Sequence, residues 1–229
     1  MRKDILILIL IITVSVLGFV ALYFTLFDKD YQYLYKNLKV SHLIYNPDKK
    51  LPHFSLIDHN NNKFDNENLK DEWTILTFIY THCPDVCPTE LMNVSILNSR
   101  IKKSNPSLMT NFVAITFDPM RDTPEILKDY VTYFDKDFLG VSGDQNQIDQ
   151  IVKDFGAYYE RAMYDENGEV IILSSDEPLP ANAIENGYSI NHTAWVYLVN
   201  PDGQIHAGFP APHKPNDMLI DIELLVENY

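Results

Sequence analysis

Two cysteines four residues apart, the only ones in 229 residues, lie where the pattern of a buried strand changes to that of a helix. The strand pattern is the apolar run 73–80, which ends shortly before Cys83 and Cys87. After Pro88, apolar residues recur at helical spacing at Leu91, Val94, Leu97 and Ile101. At a helix N-terminus, backbone N–H groups and the helix dipole stabilise a thiolate, the nucleophilic and metal-binding form of cysteine. The sequence therefore predicts a cysteine pair suited to thiolate chemistry.

The next part of the chain continues the alternation of strands and helices. A second buried strand is predicted over 111–117, followed by a helix over Pro124–Phe134 with Thr123 as its cap. A short strand over 138–141 and a helix over 145–155 come next. Because strands that alternate with helices favour βαβ units with parallel pairing, the predicted fold class is α/β.

Three hairpins and a last helix complete the predicted pattern. Asn167–Gly168 is a strong hairpin signal, since both residues tolerate the backbone angles of a tight turn. The hairpins are predicted over 51–64, 157–173 and 194–208, and the amphipathic helix over 215–227. The polar and acidic stretch 174–187 is predicted to be a loop.

The charge of the chain argues against one class of partner. The formal net charge is −14, and basic residues cluster nowhere beyond the first three positions. Because nucleic-acid binding depends on clustered Lys and Arg, we expect no nucleic-acid partner.

The N-terminal segment predicts a membrane anchor. Residues 5–27 carry no charge over 23 positions, which is long enough for a helix to span a bilayer. The segment offers no small-residue cleavage site, so an uncleaved transmembrane helix is expected. Arg2 and Lys3 would place the N-terminus in the cytoplasm and the remainder on the other side, where disulfides persist. The predicted division is a tip and anchor over 1–27, a tether over 28–48 and a folded domain over 49–229.

The cysteine pair has more than one chemical interpretation. Two sulfurs on one helical turn can share a soft metal ion or close into a disulfide. A purely structural bridge is a weaker explanation, because linking residues this close removes little loop entropy.

Among seven histidines, His192 is the best third ligand, since it directly precedes an apolar strand. The others in hairpin or turn contexts are typical surface residues: His53, His59, His206 and His213. Periodicity alone leaves His192 undecided.

Three motifs stand in order along the chain: Tyr80-Thr-His-Cys83-Pro-Asp-Val-Cys87-Pro, Thr116-Phe-Asp118-Pro-Met-Arg121-Asp122-Thr, and His192-Thr followed by Tyr197-Leu-Val-Asn-Pro-Asp-Gly203. Through these motifs, the chain from about residue 51 to the C-terminus resembles the Sco/SenC family of copper chaperones, which have a thioredoxin-like fold. The resemblance implies a thioredoxin-like domain with extra hairpins, in which Cys83, Cys87 and His192 bind copper. It also implies that Asp118 lies near the metal, either as a weak extra ligand or as a group that contacts the ligands. A structural role for Asp118 in the turn that enters the next helix is equally open.

The resemblance further implies a function. The reduced cysteines with His192 would bind copper, as Cu(I) or Cu(II), and deliver it to the copper site of cytochrome c oxidase subunit II during assembly. Oxidation to the Cys83–Cys87 disulfide would refuse copper, so an upstream copper donor and a thiol reductant are expected partners. On this interpretation the protein is not an enzyme. The alternative is a membrane-tethered thiol-disulfide oxidoreductase acting on the oxidase's copper-site cysteines.

The expected location follows from the anchor and the absence of a transit peptide. The protein is predicted to lie in the bacterial inner membrane with its domain facing the periplasm. The mitochondrial inner membrane, with the domain in the intermembrane space, is the alternative.

Overall fold

The structure is a computed structural model that describes residues 2–44, 46, 50–108, 110–165, 167–175 and 177–229. Within the first helix, side chains are described only for 7–19 and from residue 32 onward. The described strands are β1 (His42–Leu43), β2 (Ser55–Asp58), β3 (Lys63–Asp65), β4 (Trp73–Ile79), β5 (Thr110–Thr116), β6 (Phe138–Ser142), β7 (Tyr159–Tyr164), β8 (Val170–Ser174), β9 (Ser189–His192), β10 (Trp195–Val199) and β11 (Ile205–Pro210). The described helices are α1 (Arg2–Asn37), α2 (Val86–Ser104), α3 (Pro124–Phe134), α4 (Gln145–Asp154), α5 (Ala183–Asn186) and α6 (Pro215–Glu227), with a short 3-10 helix over Asn66–Leu69.

The central sheet has eight strands in the order β1-β11-β10-β4-β5-β6-β2-β3. Strands β4, β5 and β6 are parallel, with α2 and α3 as the connections between them, and the other pairings are antiparallel. The predicted α/β class with parallel βαβ units is therefore confirmed. A second sheet has the order β8-β7-β9 and carries His192 at the end of β9.

Local sequence signals account for most of these elements. Helix α3 begins as predicted, because the Thr123 hydroxyl accepts a hydrogen bond from the Ile126 N–H and proline occupies the first turn. Gly168 has a φ of +81° in the turn between β7 and β8, a conformation that glycine adopts without steric cost. Helix α2 buries the predicted apolar face against the core, and it contacts α3 and α6. The predicted loop over 174–187 contains the one-turn helix α5.

The predicted transmembrane segment, residues 5–27, is not supported by the structure. Among the described residues, no helix combines the length and the apolar character that a bilayer crossing requires. The side chains of residues 5, 6 and 20–27 of this segment lie outside the described part of the chain.

The predicted tether, residues 28–48, contains more structure than a tether implies. Helix α1 continues to Asn37, and β1 adds an edge strand to β11. The Asp221 carboxylate on α6 accepts hydrogen bonds of 2.8 to 2.9 Å from the N–H groups of Lys39, Val40 and Ser41. These contacts fix residues 39–43 to the domain, whereas residues 45 and 47–49 lie outside the described chain. The domain boundaries at 27 and 48 stay a prediction.

Candidate metal centre

The cysteines lie at the start of α2, where the polypeptide leaves the C-terminal end of β4. Cys87 is in the first turn of the helix and fully buried, and Cys83 in the preceding turn is 8% exposed. The Cys83 N–H donates to the Tyr80 carbonyl at 3.2 Å, and the Cys87 N–H donates to the Cys83 sulfur at 3.4 Å. The helix start thus directs a backbone donor at the first sulfur, as expected for a site that stabilises a thiolate.

The two thiols differ strongly in acidity. A hydrogen bond from the Cys87 side chain lowers the pKa of Cys83 to about 4, with further contributions from the N–H groups of Cys87 and Asp85 and the Tyr80 hydroxyl. The pKa of Cys87 is raised, because it shares its proton with Cys83 and is buried. The shared hydrogen bond therefore favours a thiolate on Cys83 and a thiol on Cys87.

His192 reaches the cysteines from the second sheet. It is the last residue of β9 and pairs with Tyr159 of β7, and the next residue donates its N–H to the Tyr158 carbonyl at 2.9 Å. The His192 Nδ1 lies 3.0 Å from the Thr193 carbonyl oxygen. Because a carbonyl only accepts, Nδ1 carries the proton and Nε2 keeps its lone pair. That Nε2 lies 3.4 Å from the Cys87 sulfur.

Aromatic rings hold the imidazole in this orientation. The His192 ring packs edge-on against Tyr80, with centroids 6.0 Å apart, and lies tilted against Phe117 at 4.9 Å. Tyr80 directly follows β4, the strand that leads to the cysteines, and Phe117 directly follows β5. The ligand from β9 is therefore positioned by the same strand ends that position the thiols.

The three donor atoms form a site that fits a soft metal ion. One donor atom from each of Cys83, Cys87 and His192 lies within 4.8 Å of the others. Metal bonds to sulfur and imidazole nitrogen are about 2.0 to 2.3 Å long, so donor atoms this close need at most a small side-chain adjustment to share one ion. Two thiolates and an imidazole are the donor set that suits copper or zinc, and the described residues supply no fourth donor to this group. The structure brings the three predicted ligands together; that they bind a metal stays a prediction.

Asp118 is not part of this donor group. Its carboxylate forms an ion pair with the Arg121 Nε and accepts a hydrogen bond of 2.6 Å from the Tyr188 hydroxyl. Arg121 also donates to the Tyr188 carbonyl at 2.8 Å, and its guanidinium lies 3.6 Å from the centre of the Tyr188 ring. Because Tyr188 directly precedes β9, these contacts fix the start of the strand that ends in His192. The structure places Asp118 as a positioning residue, and its role as an extra ligand stays a prediction.

Several histidines are more buried than the sequence suggests. His59 and His206 are buried, and the His213 side chain is 4% exposed, so the expectation of surface positions is wrong for these three. His206 lies on β11 with its ring against Trp73, and burial lowers its pKa to about 4. Turn and hairpin patterns predict the backbone, whereas burial depends on the elements that pack over them.

Sequence reasoning also missed a buried carboxyl near the thiols. Glu90 lies one turn after Cys87 on α2 and is 2% exposed. Its position among the apolar residues of the buried helix face is the signal that could have identified it, because an isolated glutamate there needs a buried partner.

We expect Cys83 to remain a thiolate in acidic solution. Its pKa lies below the ordinary value of 9.0, so the charged form is retained as the pH falls from 9 and is lost near 4. As the reduced, metal-free protein is acidified, the ultraviolet absorbance of the thiolate should decrease in one step near pH 4. Alkylation at pH 6 should modify Cys83 before Cys87. In the unfolded protein both thiols should titrate near 9. A single step near 9 in the folded protein would contradict the thiolate assignment.

Comparison with known proteins places these residues in a family context. A family model described as SCO1/SenC matches residues 45–227. A SCO2-like protein of Rickettsia felis is 30% identical over 166 residues, which are 72% of each chain. The structure of Bradyrhizobium japonicum ScoI with copper bound matches with a TM-score of 0.59 and 29% identity, over 76% of this chain and 98% of the other. Arabidopsis thaliana ScoI with copper bound matches in fold with a TM-score of 0.66 and 24% identity, over 79% and 100%.

Proposed function

We propose, since this chain belongs to the SCO1/SenC family, that it is a copper metallochaperone whose Cys83, Cys87 and His192 bind one copper ion. The recipient in this proposal is the copper site of cytochrome c oxidase subunit II. One observation carries the proposal: three donor atoms from two distant segments lie within 4.8 Å of one another. The copper-bound ScoI of Bradyrhizobium japonicum, similar over most of both chains, supports copper as the ion.

The donor set suits an ion that must be released again. Thiolate and imidazole donors favour copper over hard ions such as Mg²⁺ and Ca²⁺. A structural zinc site would have four protein ligands, whereas the described residues offer three here. With three protein ligands, the copper ion keeps one open coordination position. A ligand of the recipient protein can bind the ion there before Cys83, Cys87 and His192 release it.

The oxidation state of the thiols would control copper binding. Only the reduced pair can bind, because the ligating sulfurs must be deprotonated. The disulfide of Cys83 and Cys87 would exclude copper, so the cycle also requires a copper donor and a thiol reductant. This proposal assigns the protein a binding and transfer role without enzymatic turnover.

The second candidate function is thiol-disulfide exchange, and the acidity of Cys83 favours it. A thiolate at neutral pH can attack a disulfide, such as one formed by the copper-site cysteines of the oxidase subunit. Cys87 would then resolve the mixed disulfide. The two functions use the same sulfurs but differ in their need for His192.

We place this function on the periplasmic side of the bacterial inner membrane. Support comes from the bacterial SCO2-like relative and from thiol chemistry that needs a compartment in which disulfides persist. Fractionation of cells into periplasm, membrane and cytoplasm, with the protein detected by antibody, tests this location. Recovery in the cytoplasmic fraction alone would contradict it.

Replacing His192 by alanine tests the copper proposal. The reduced full chain is titrated with Cu(I) against a competing chelator, and His192→Ala is expected to lower the affinity by at least about tenfold, since even a group that only orients a ligand contributes about 10- to 100-fold. The rate of insulin reduction should stay near that of the parent, because the thiols remain.

The matched control is His53→Ala, which removes an exposed histidine elsewhere and should leave the copper affinity unchanged. Parent-like copper affinity in His192→Ala would contradict the three-ligand site. Unchanged copper binding together with parent-like insulin reduction would instead favour the oxidoreductase.

A further inference from the structure

The outermost strand of the second sheet has an unpaired edge. Strand β8 pairs with β7 alone, in the sheet order β8-β7-β9. At the turn between the two strands, the Asp165 N–H donates to the Glu169 carbonyl at 2.9 Å. Because bonded and non-bonded pairs alternate along an antiparallel ladder, the odd-numbered residues of β8 direct their backbone groups at β7. The even-numbered residues, Val170, Ile172 and Ser174, direct theirs away from the sheet.

The chain itself closes one end of this edge. The Glu177 carboxylate accepts a hydrogen bond of 2.8 Å from the Ser174 N–H, and the Glu177 N–H donates to the Ser174 carbonyl at 3.1 Å. Glu177 thus takes the place of a neighbouring strand at Ser174. At Val170 and Ile172, no residue that the structure describes bonds to the outward N–H and C=O groups. These two positions are therefore open to a partner.

Apolar side chains surround the open edge. Tyr164, Val170 and Ile172 are 67%, 60% and 56% exposed. They share the solvent face of the hairpin, because Tyr164 lies opposite Val170 and Ala162 lies opposite Ile172. Proteins usually protect an exposed edge strand with charges, proline or a bulge. The five residues of β8 include no charge and no proline, so this edge is suited to pairing with another extended segment.

The charges beside this edge are acidic. Between positions 157 and 187 the only basic residue of the sequence is Arg161, which is buried and donates to the Tyr159 hydroxyl. Glu169 and Glu177 flank β8, and both are exposed. An approaching segment therefore meets an apolar centre with negative charge at each end. Lys or Arg at the ends of that segment would complement this charge.

A second copy of the chain fits this edge less well than a basic partner. Antiparallel pairing of two β8 strands about Ile172 would bring Asp165 and Glu169 of one copy beside Glu177 of the other. Because such an interface is symmetric, like charges would oppose each other at both of its ends. Each chain also has a formal net charge of −14. The acidic ends of the edge thus favour a basic partner over self-association.

We propose that the open edge of β8 binds an extended apolar segment of a partner protein with Lys or Arg at its ends, and that this segment becomes a fourth strand of the second sheet. The same sheet carries His192 at the end of β9. Adjacent strands lie about 4.8 Å apart, so the added strand would lie about 14 Å from β9. A partner bound there is held beside the candidate metal centre, although docking itself requires neither copper nor a change in the thiols.

The test uses a synthetic peptide, Lys-Lys-Val-Thr-Val-Thr-Val-Lys-Lys, with blocked ends and a fluorescent label. Fluorescence anisotropy with the metal-free full chain measures its affinity, and binding should slow hydrogen exchange of the Val170 and Ile172 amides. A peptide with proline in place of both threonines has the same charge but lacks two backbone donors. It should bind at least about tenfold more weakly. Glutamate in place of the four lysines should weaken binding by a similar factor, because the ends of the edge are acidic.

A pair of variants separates edge pairing from general charge attraction. Ile172→Lys places a charge on the open edge and should lower the affinity for the lysine peptide by about tenfold or more. Because Ile172 is 56% exposed, the fold should tolerate the change. The matched control is Ile220→Lys on α6, where the parent side chain is 41% exposed. It changes the net charge equally and should bind the peptide like the parent.

Three results would overturn the docking site: no binding of the lysine peptide, equal binding of the proline peptide, or equal affinities in Ile172→Lys and Ile220→Lys. Sedimentation of the parent gives a further check. A dimer that Ile172→Lys abolishes would assign the edge to a second copy and overturn the basic partner. Because all these measurements are made without copper, none of them depends on the proposed metal site.

Discussion

Replacing Cys87 by serine is expected to abolish copper binding by the reduced protein. The change removes one of two soft donors and substitutes a hydroxyl that stays protonated at neutral pH. It also removes the hydrogen bond that contributes most to the low pKa of Cys83, so the remaining thiol becomes a poorer ligand. The loss should exceed the roughly 100-fold that a group orienting a ligand can contribute. Competition with a Cu(I) chelator measures it.

A second sulfur on the same helix provides the control for this change. Met92 of α2 is 48% exposed and lies outside the donor group, so Met92→Ser should bind copper like the parent. Cys87→Ser should also be unable to form the internal disulfide, which alkylation and mass measurement would detect. Parent-like copper affinity in Cys87→Ser would refute the thiolate site.

Replacing Asp118 by asparagine is expected to destabilise the fold more than it weakens copper binding. Asp118 and Arg121 form a buried ion pair, with side chains 2% and 11% exposed. Removing one partner leaves a buried charge without compensation, which costs about 3 to 5 kcal/mol. Denaturant unfolding of the metal-free protein measures this cost. Copper affinity should fall only modestly, since Tyr188 still anchors the start of β9 through its contact with Arg121.

The exposed ion pair between Lys102 and Asp137 gives the matched control. Their side chains are 55% and 46% exposed, so Asp137→Asn should change the free energy of unfolding by no more than about 1 kcal/mol. If Asp118→Asn kept full stability but lost copper affinity as severely as Cys87→Ser, Asp118 would be a ligand and its positioning role would be wrong.

The two parts of the site are held in different ways. The cysteines are fixed by the start of α2, whereas His192 lies on a three-stranded sheet that contacts the core through Tyr188, Arg121 and Asp118. The His192 ring itself packs against Tyr80 and Phe117.

Most of the fold could be predicted from local sequence signals. The ends of α3, the turn at Gly168 and the strand β4 follow from a cap, a glycine and an apolar run, each contained within a few residues. Membrane anchoring is a prediction that the described part of the structure does not support.

The sequence by itself determined the reactive pair. Spacing within one helical turn brings Cys83 and Cys87 together, and the helix start supplies the donors that acidify one of them, so no distant contact is needed. Only the tertiary structure determined which side chains lie around that pair. His192 lies 105 positions from Cys87, and Glu90 meets His213 across separate elements, so both encounters depend on how the strands and helices pack. Local periodicity fixes the direction of a side chain relative to its own helix or strand, but the partner it finds depends on the packing of the whole chain.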